Sequence, residues 1–158
     1  MNRRLLIIVL MACLLPLGMQ AQQGTFRFAQ LTDIHLTPNN PNPTEDLLRS
    51  VAQINATDSI DFVLVTGDLT EEGDRTTMEK VKSCLDLLKV PYHVVLGNHE
   101  TKWSDSGCTA FGEIFGGERF EFEHKGFLFL GFNSGPLMRM AYGACSAARY
   151  PLDDGRNG

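Results

Sequence analysis

Phe62-Val63-Leu64-Val65-Thr66-Gly67-Asp68 decides the fold. An unbroken apolar run that stops at a polar turn marks a strand covered on both faces, as in a parallel sheet. Two other segments have the same form. Thr25 to Thr32 alternates, with Phe26, Phe28 and Gln30 on one side and Arg27, Ala29 and Leu31 on the other, and stops at Asp33-Ile34-His35. Tyr92 to Leu96 stops at Gly97-Asn98-His99-Glu100. Amphipathic stretches separate the three. Thr44 is placed to cap a helix carrying Leu47, Leu48, Val51 and Ile54 on one stripe. Asp74 is placed to cap a second, carrying Met78, Val81, Leu85 and Leu88, which Pro91 ends. The order βαβαβ predicts an α/β fold: a parallel sheet with right-handed crossovers, flanked by helices. Asp33 and Asp68 are 35 residues apart and Asp68 and Asn98 are 30, each one crossover step. The carboxyl ends of such strands open into one crevice, so the three polar clusters should meet. Further on, Thr109 to Phe115 reads as a short helix ended by Gly116-Gly117. Arg119 to Glu123 and Phe127 to Phe132 read as a hairpin about His124-Lys125-Gly126.

The 158 residues suffice for one domain. Residues 1–21 read as a secretory signal peptide. Arg3-Arg4 precedes the aliphatic run Leu5 to Leu15, and Met19-Gln20-Ala21 ends on a small residue. The run is too short for a transmembrane helix, which needs about twenty apolar residues. Cleavage near Ala21 implies a secreted or periplasmic protein; lipoprotein processing at Cys13 is the alternative. Cleavage takes the net charge from −5 to −7, because Arg3 and Arg4 leave. So acidic a chain has no nucleic-acid footprint. Three cysteines remain, Cys84, Cys108 and Cys145, an odd number that argues against a disulfide scaffold. Cys84 falls on the apolar helix face, and its pairing with Cys108 stays open.

If Asp33-Ile34-His35 runs extended, a carboxylate and an imidazole face one ion while Ile34 turns inward. Gly67 has no side chain, so a ligand or ion can approach the backbone beside Asp68. The Asp68 carboxylate can bridge two cations, and paired cations clamp both oxygens of a phosphoryl transfer. The Asn98 amide oxygen is a neutral, hard ligand. His99 can face the substrate and protonate a leaving oxygen. Taken singly, the first two clusters read better as ordinary turns, and the third reads equally as one. Their order and spacing together point to a metal site for phosphate esters.

Asp33-x-His35, Gly67-Asp68-x-x-Glu71-x-Gly73 and Gly97-Asn98-His99-Glu100 resemble the first half of the calcineurin-like metallophosphoesterase superfamily, over about residues 25 to 143. The resemblance implies the first half of a two-layered sheet sandwich flanked by helices. It implies two divalent ions (Mn, Fe, Zn or Mg) and hydrolysis of a phosphomonoester or phosphodiester by an in-line hydroxide held at the metals. Asp33 and His35 would bind the first ion and Asp68 would bridge both. Asn98 would bind the second ion and contact phosphate, and His99 would be the acid. Glu71 stands where the family commonly has Asp, as the partner of His99 and one methylene longer. From their place just past the third cluster, Lys102 and Trp103 read as pocket-lining residues, Trp103 equally as a packing residue.

The family adds a downstream Gly-His-x-His cluster. Here the histidines are His35, His93, His99 and His124. His93 lies within a strand and reads as packing. The domain is therefore expected to be partial over 22–143, with 144–158 an irregular, non-native tail from a cut or frame-shifted gene. A half site should bind ions weakly and turn over little or nothing, a non-catalytic remnant or metal/phosphate-binding protein being the alternative.

Overall fold

The computed structural model describes residues 24–103 and 108–134. The leader, Cys13, Cys145 and the 144–158 tail lie outside the described residues.

Three short strands form a parallel sheet in the order β1-β2-β3: β1 Phe28–Leu31, β2 Phe62–Thr66 and β3 Tyr92–Val95. Phe28 pairs with Phe62 and Val63 with Tyr92. The crossovers are α1 (Asn42–Ala56) and α2 (Arg75–Leu85). A third helix, α3 (Thr109–Phe115), follows β3 and ends on Gly116, which takes the left-handed cap. The helices close one face of the sheet. Leu47 and Val51 of α1, Met78, Val81 and Leu85 of α2, and Ala110 and Phe111 of α3 share one core with Val63, Val65 and Val94.

The second face is covered by an antiparallel hairpin, β4 (Phe120–His124) and β5 (Phe127–Gly131). Lys125 and Gly126 both have positive φ, 48° and 85°, the mirror-image two-residue turn that matches strand twist. Phe62 is the centre of this layer. Its ring meets Phe122 at 5.1 Å and Phe129 at 5.0 Å, stacks on Phe28, and is 2% exposed. Burying it contributes roughly 1.5–3 kcal/mol. His93 packs as its sequence position implies, stacked on Phe122 at 3.7 Å, and burial pushes its pKa down. Lys125 and His124 clasp Asp61 at the far end of the sheet, with Nζ at 2.7 Å and Nε2 at 3.2 Å.

Two local expectations need correction. Thr44 does not cap α1. The helix starts at Asn42 behind Pro41, with proline in its first turn, and the Asn42 N–H donates to Asn40. Proline fixes a helical φ and needs no N–H partner there; the Thr44 hydroxyl is left buried, with no hydrogen-bond partner among the described residues. The 25–32 strand is shorter than its alternation suggests. Asp74 does cap α2, accepting from the Thr77 N–H at 2.9 Å. Leu88 lies past the helix end yet still packs on the core. Cys84 and Cys108 are unbridged, and burial raises the Cys84 thiol's pKa.

Candidate metal centre

Beyond β1 and β2 the chains keep pairing. The Asp33 N–H donates to the Gly67 carbonyl at 3.2 Å, His35 N–H to Asp68 at 3.0 Å, and Leu36 N–H to Leu69 at 3.0 Å. Two loops thus run side by side from the sheet edge. Within them Asp33, His35 and Asp68 all take the left-handed conformation, with φ of 53°, 49° and 50°. The extended course expected for Asp33-Ile34-His35 is not the one adopted. A left-handed residue on each side of Ile34 turns the polar side chains outward together, and Ile34 packs on the core. Non-glycine residues held in this region cost on the order of 1–3 kcal/mol each, and such strain gathers at functional sites.

The third cluster is locked to the second by glycine. A Cβ on Gly67, whose φ is +97°, would sit 2.8 Å from Gly97 Cα, and one on Gly97 would sit 2.1 Å from Asp68 Oδ1. The room left by both glycines is filled by protein. This corrects the expectation that Gly67 admits a ligand: it admits the neighbouring loop. Glu100, which the sequence reading left without a role, is fully buried. One of its oxygens accepts the Thr70 N–H at 3.0 Å and the Thr70 hydroxyl at 3.2 Å; the other accepts the Gly97 N–H at 2.8 Å. It lies in a π-type turn, His99–Trp103, that no local pattern announces. The side chains of Lys102 and Trp103 lie outside what is described.

The ligating atoms converge. Oxygens of Asp33 and Asp68 and a ring nitrogen of His35 lie within 4.8 Å of one another. His35 Nε2 is 3.8 Å from Asp33 Oδ1. The Asp68 carboxylate also accepts the His99 N–H at 3.2 Å. A cavity of about 490 Å³ opens beside them, lined by Asp33, Asp68, Asn98, Thr32, Phe132 and Ser134. Phe132 and Ser134 come from the chain after β5, and nothing in their local sequence marks them. His99 stands on the other side of His35, the rings edge to face with centroids 4.6 Å apart.

Glu71 is not placed as expected. Its carboxylate meets His35, with Nδ1 to Oε2 at 3.0 Å, and His99 Nδ1 instead donates to the Glu71 main-chain carbonyl at 2.6 Å. Glu71, His35 and His99 therefore form a second convergent set, sharing His35 with the first.

Two carboxylates and an imidazole suit a borderline-to-hard divalent cation. The carboxylate behind the imidazole is the outer contact that metal-binding histidines commonly make. The residues present fit a metal.

A probable cyclic nucleotide phosphodiesterase of Rhodopseudomonas palustris is 33% identical over 97 residues, 58% of this chain and 33% of that protein. Human tartrate-resistant acid phosphatase type 5 is 29% identical over 120 residues, 68% of this chain and 37% of that one. The chain thus spans about a third of the length of these relatives. A purple acid phosphatase from yellow lupin seeds aligns at a TM-score of 0.36 with 20% identity, covering 55% of this chain and 17% of the other. The family model for calcineurin-like phosphoesterases matches residues 26–154, and to that family this chain belongs.

Proposed function

We propose that the protein hydrolyses a phosphate ester at two divalent cations, with Asp33, His35, Asp68 and Asn98 as this chain's ligands and His99 as the acid. Phosphodiesters come first among substrates, cyclic nucleotides included, by likeness to the probable cyclic nucleotide phosphodiesterase of Rhodopseudomonas palustris and two further relatives of the same description. The observation that carries the reading is the convergence of Asp33, His35 and Asp68 from two strand ends, all three left-handed, beside a cavity that Asn98 also lines.

The bound cations would polarise the phosphoryl group and activate water. Asp68, placed between the other two clusters, is the natural bridge. Asn98 offers a neutral amide to ion or phosphate. His99 has Nδ1–H committed to the Glu71 carbonyl, so in the imidazolium form Nε2–H is the proton that can pass to the leaving oxygen. Phe132 gives the cavity an apolar wall for the organic group.

Among the described residues Asp33, His35 and Asp68 converge on one ion, and a second is left with Asp68 and Asn98. That favours one well-held ion and little turnover from these 158 residues alone. The test is Mn²⁺ titration by calorimetry beside an assay with bis(p-nitrophenyl) phosphate. Binding of at least one Mn²⁺, lost in Asp33→Asn, is expected. A chain that binds none of Mn²⁺, Zn²⁺, Fe²⁺ or Mg²⁺ sinks the reading.

A further inference from the structure

We propose that Glu71 is a positioning residue for His35, fixing the tautomer and direction of that ring through its carboxylate, while it holds His99 through its main-chain carbonyl. The inference rests on the metal-centre reading for what the positioning serves.

The argument is geometric. One residue holds two imidazoles by two different groups. The Glu71 carboxylate accepts from His35 Nδ1 at 3.0 Å, while its main-chain carbonyl accepts from His99 Nδ1 at 2.6 Å. Only the first contact depends on the side chain. An unprotonated carboxylate oxygen can only accept, so Nδ1 carries the hydrogen and the Nε2 lone pair points out of the ring on the opposite side. On that side lies Asp33 Oδ1, 3.8 Å from Nε2. The ring is thus clamped with its donor atom turned toward the carboxylate that shares the ligand set with it. Glu rather than Asp matters here: the extra methylene carries the carboxylate past its own main chain, where His99 is held, as far as His35. Both side chains are part-exposed, 33% for His35 and 54% for Glu71, so the contact adds little to folding stability. Its effect falls on ring orientation. Losing such an outer contact typically costs 10–100-fold in metal affinity.

The test uses the full chain labelled with ¹⁵N-histidine, free of metal and at mildly alkaline pH, with Glu71→Ala and Glu71→Gln beside wild type. Long-range ¹H–¹⁵N spectra should give His35 as the Nδ1–H tautomer in wild type and a mixture in Glu71→Ala. His99 should keep its Nδ1–H tautomer, held by the Glu71 main-chain carbonyl, and the thermal midpoint should be unchanged. Glu71→Gln, whose amide oxygen still accepts, should restore the tautomer. Mn²⁺ affinity should fall roughly 10–100-fold in Glu71→Ala and recover in part in Glu71→Gln. Movement of the His99 signals with His35 unmoved, or no change in either ring, overturns the proposal. Tautomer loss in a chain whose wild type binds no Mn²⁺ upholds the positioning and removes the metal centre instead.

Discussion

Glu100 and Thr70, thirty residues apart, are joined twice: one carboxylate oxygen accepts both the Thr70 main-chain N–H and its hydroxyl. The same side chain accepts the Gly97 N–H on its other oxygen. A single buried acid therefore bolts the loop after β2 to the loop after β3, and with them Asp68 to Asn98.

Removing that acid strands donors that water cannot reach. Glu100→Ala is expected to cost about 3 kcal/mol or more, since each orphaned buried donor costs about 1–3. Glu100→Gln should cost less, because one oxygen remains to accept from Thr70. Urea unfolding of the three chains checks the order; equal midpoints would refute it.

Gly97→Ala places a methyl group where Asp68 Oδ1 now lies. The carboxylate must move or the loops must part. We expect Mn²⁺ binding to be lost, with a fall in stability of about 2 kcal/mol, comparable to other local backbone strain. Gly112→Ala is the control: its Cβ would meet nothing within 4 Å, and alanine favours a helix by about 1 kcal/mol over glycine.

Asp61 gives a pH signature unrelated to metal. Hydrogen bonds from Lys125 and then from the Arg27 main chain hold its pKa near 2, against an ordinary 3.8. A depressed carboxylate contributes stability that is complete above the ordinary value and fades as pH falls through the folded one. Stability should therefore slope down between about pH 4 and pH 2, and Asp61→Asn should flatten that slope. Urea midpoints at stepped pH measure it; parallel curves would count against the clasp.

Asp68→Asn keeps shape and hydrogen-bond capacity at the loop junction while removing the charge. Metal binding should drop at least tenfold, with the unfolding midpoint within about 0.5 kcal/mol of wild type. Calorimetry beside thermal melts separates the two effects. A large loss of stability would make Asp68 a structural rather than a ligating residue.

The sheet was legible because its signals are local. A four-residue apolar run, Asp74 before an amphipathic stripe and two crossover spacings of similar length need no knowledge of distant residues. What was hidden is relational. Left-handed φ at Asp33 and His35 arises from hydrogen bonds to Gly67 and Asp68, over thirty residues on. The closeness of Gly67 to Gly97 belongs to two loops, so neither glycine announces it alone. Glu100 reads as an ordinary surface acid until its three donors are in place. Glu71 meets both histidines, His99 by its main-chain carbonyl and His35 by its carboxylate, and one extra methylene does not announce which imidazole the side chain reaches. Thr44 followed the commoner capping rule where proline had set a different start.

The three left-handed residues bear on speed as well as shape. The loops that carry them are fastened to each other by main-chain hydrogen bonds, so a cation held there would meet ligands whose backbone the fold has already set. Its capture should then be paced by how fast the ion sheds its own hydration shell, which makes a slowly exchanging ion such as Mg²⁺ the tardy guest and Mn²⁺ the quick one.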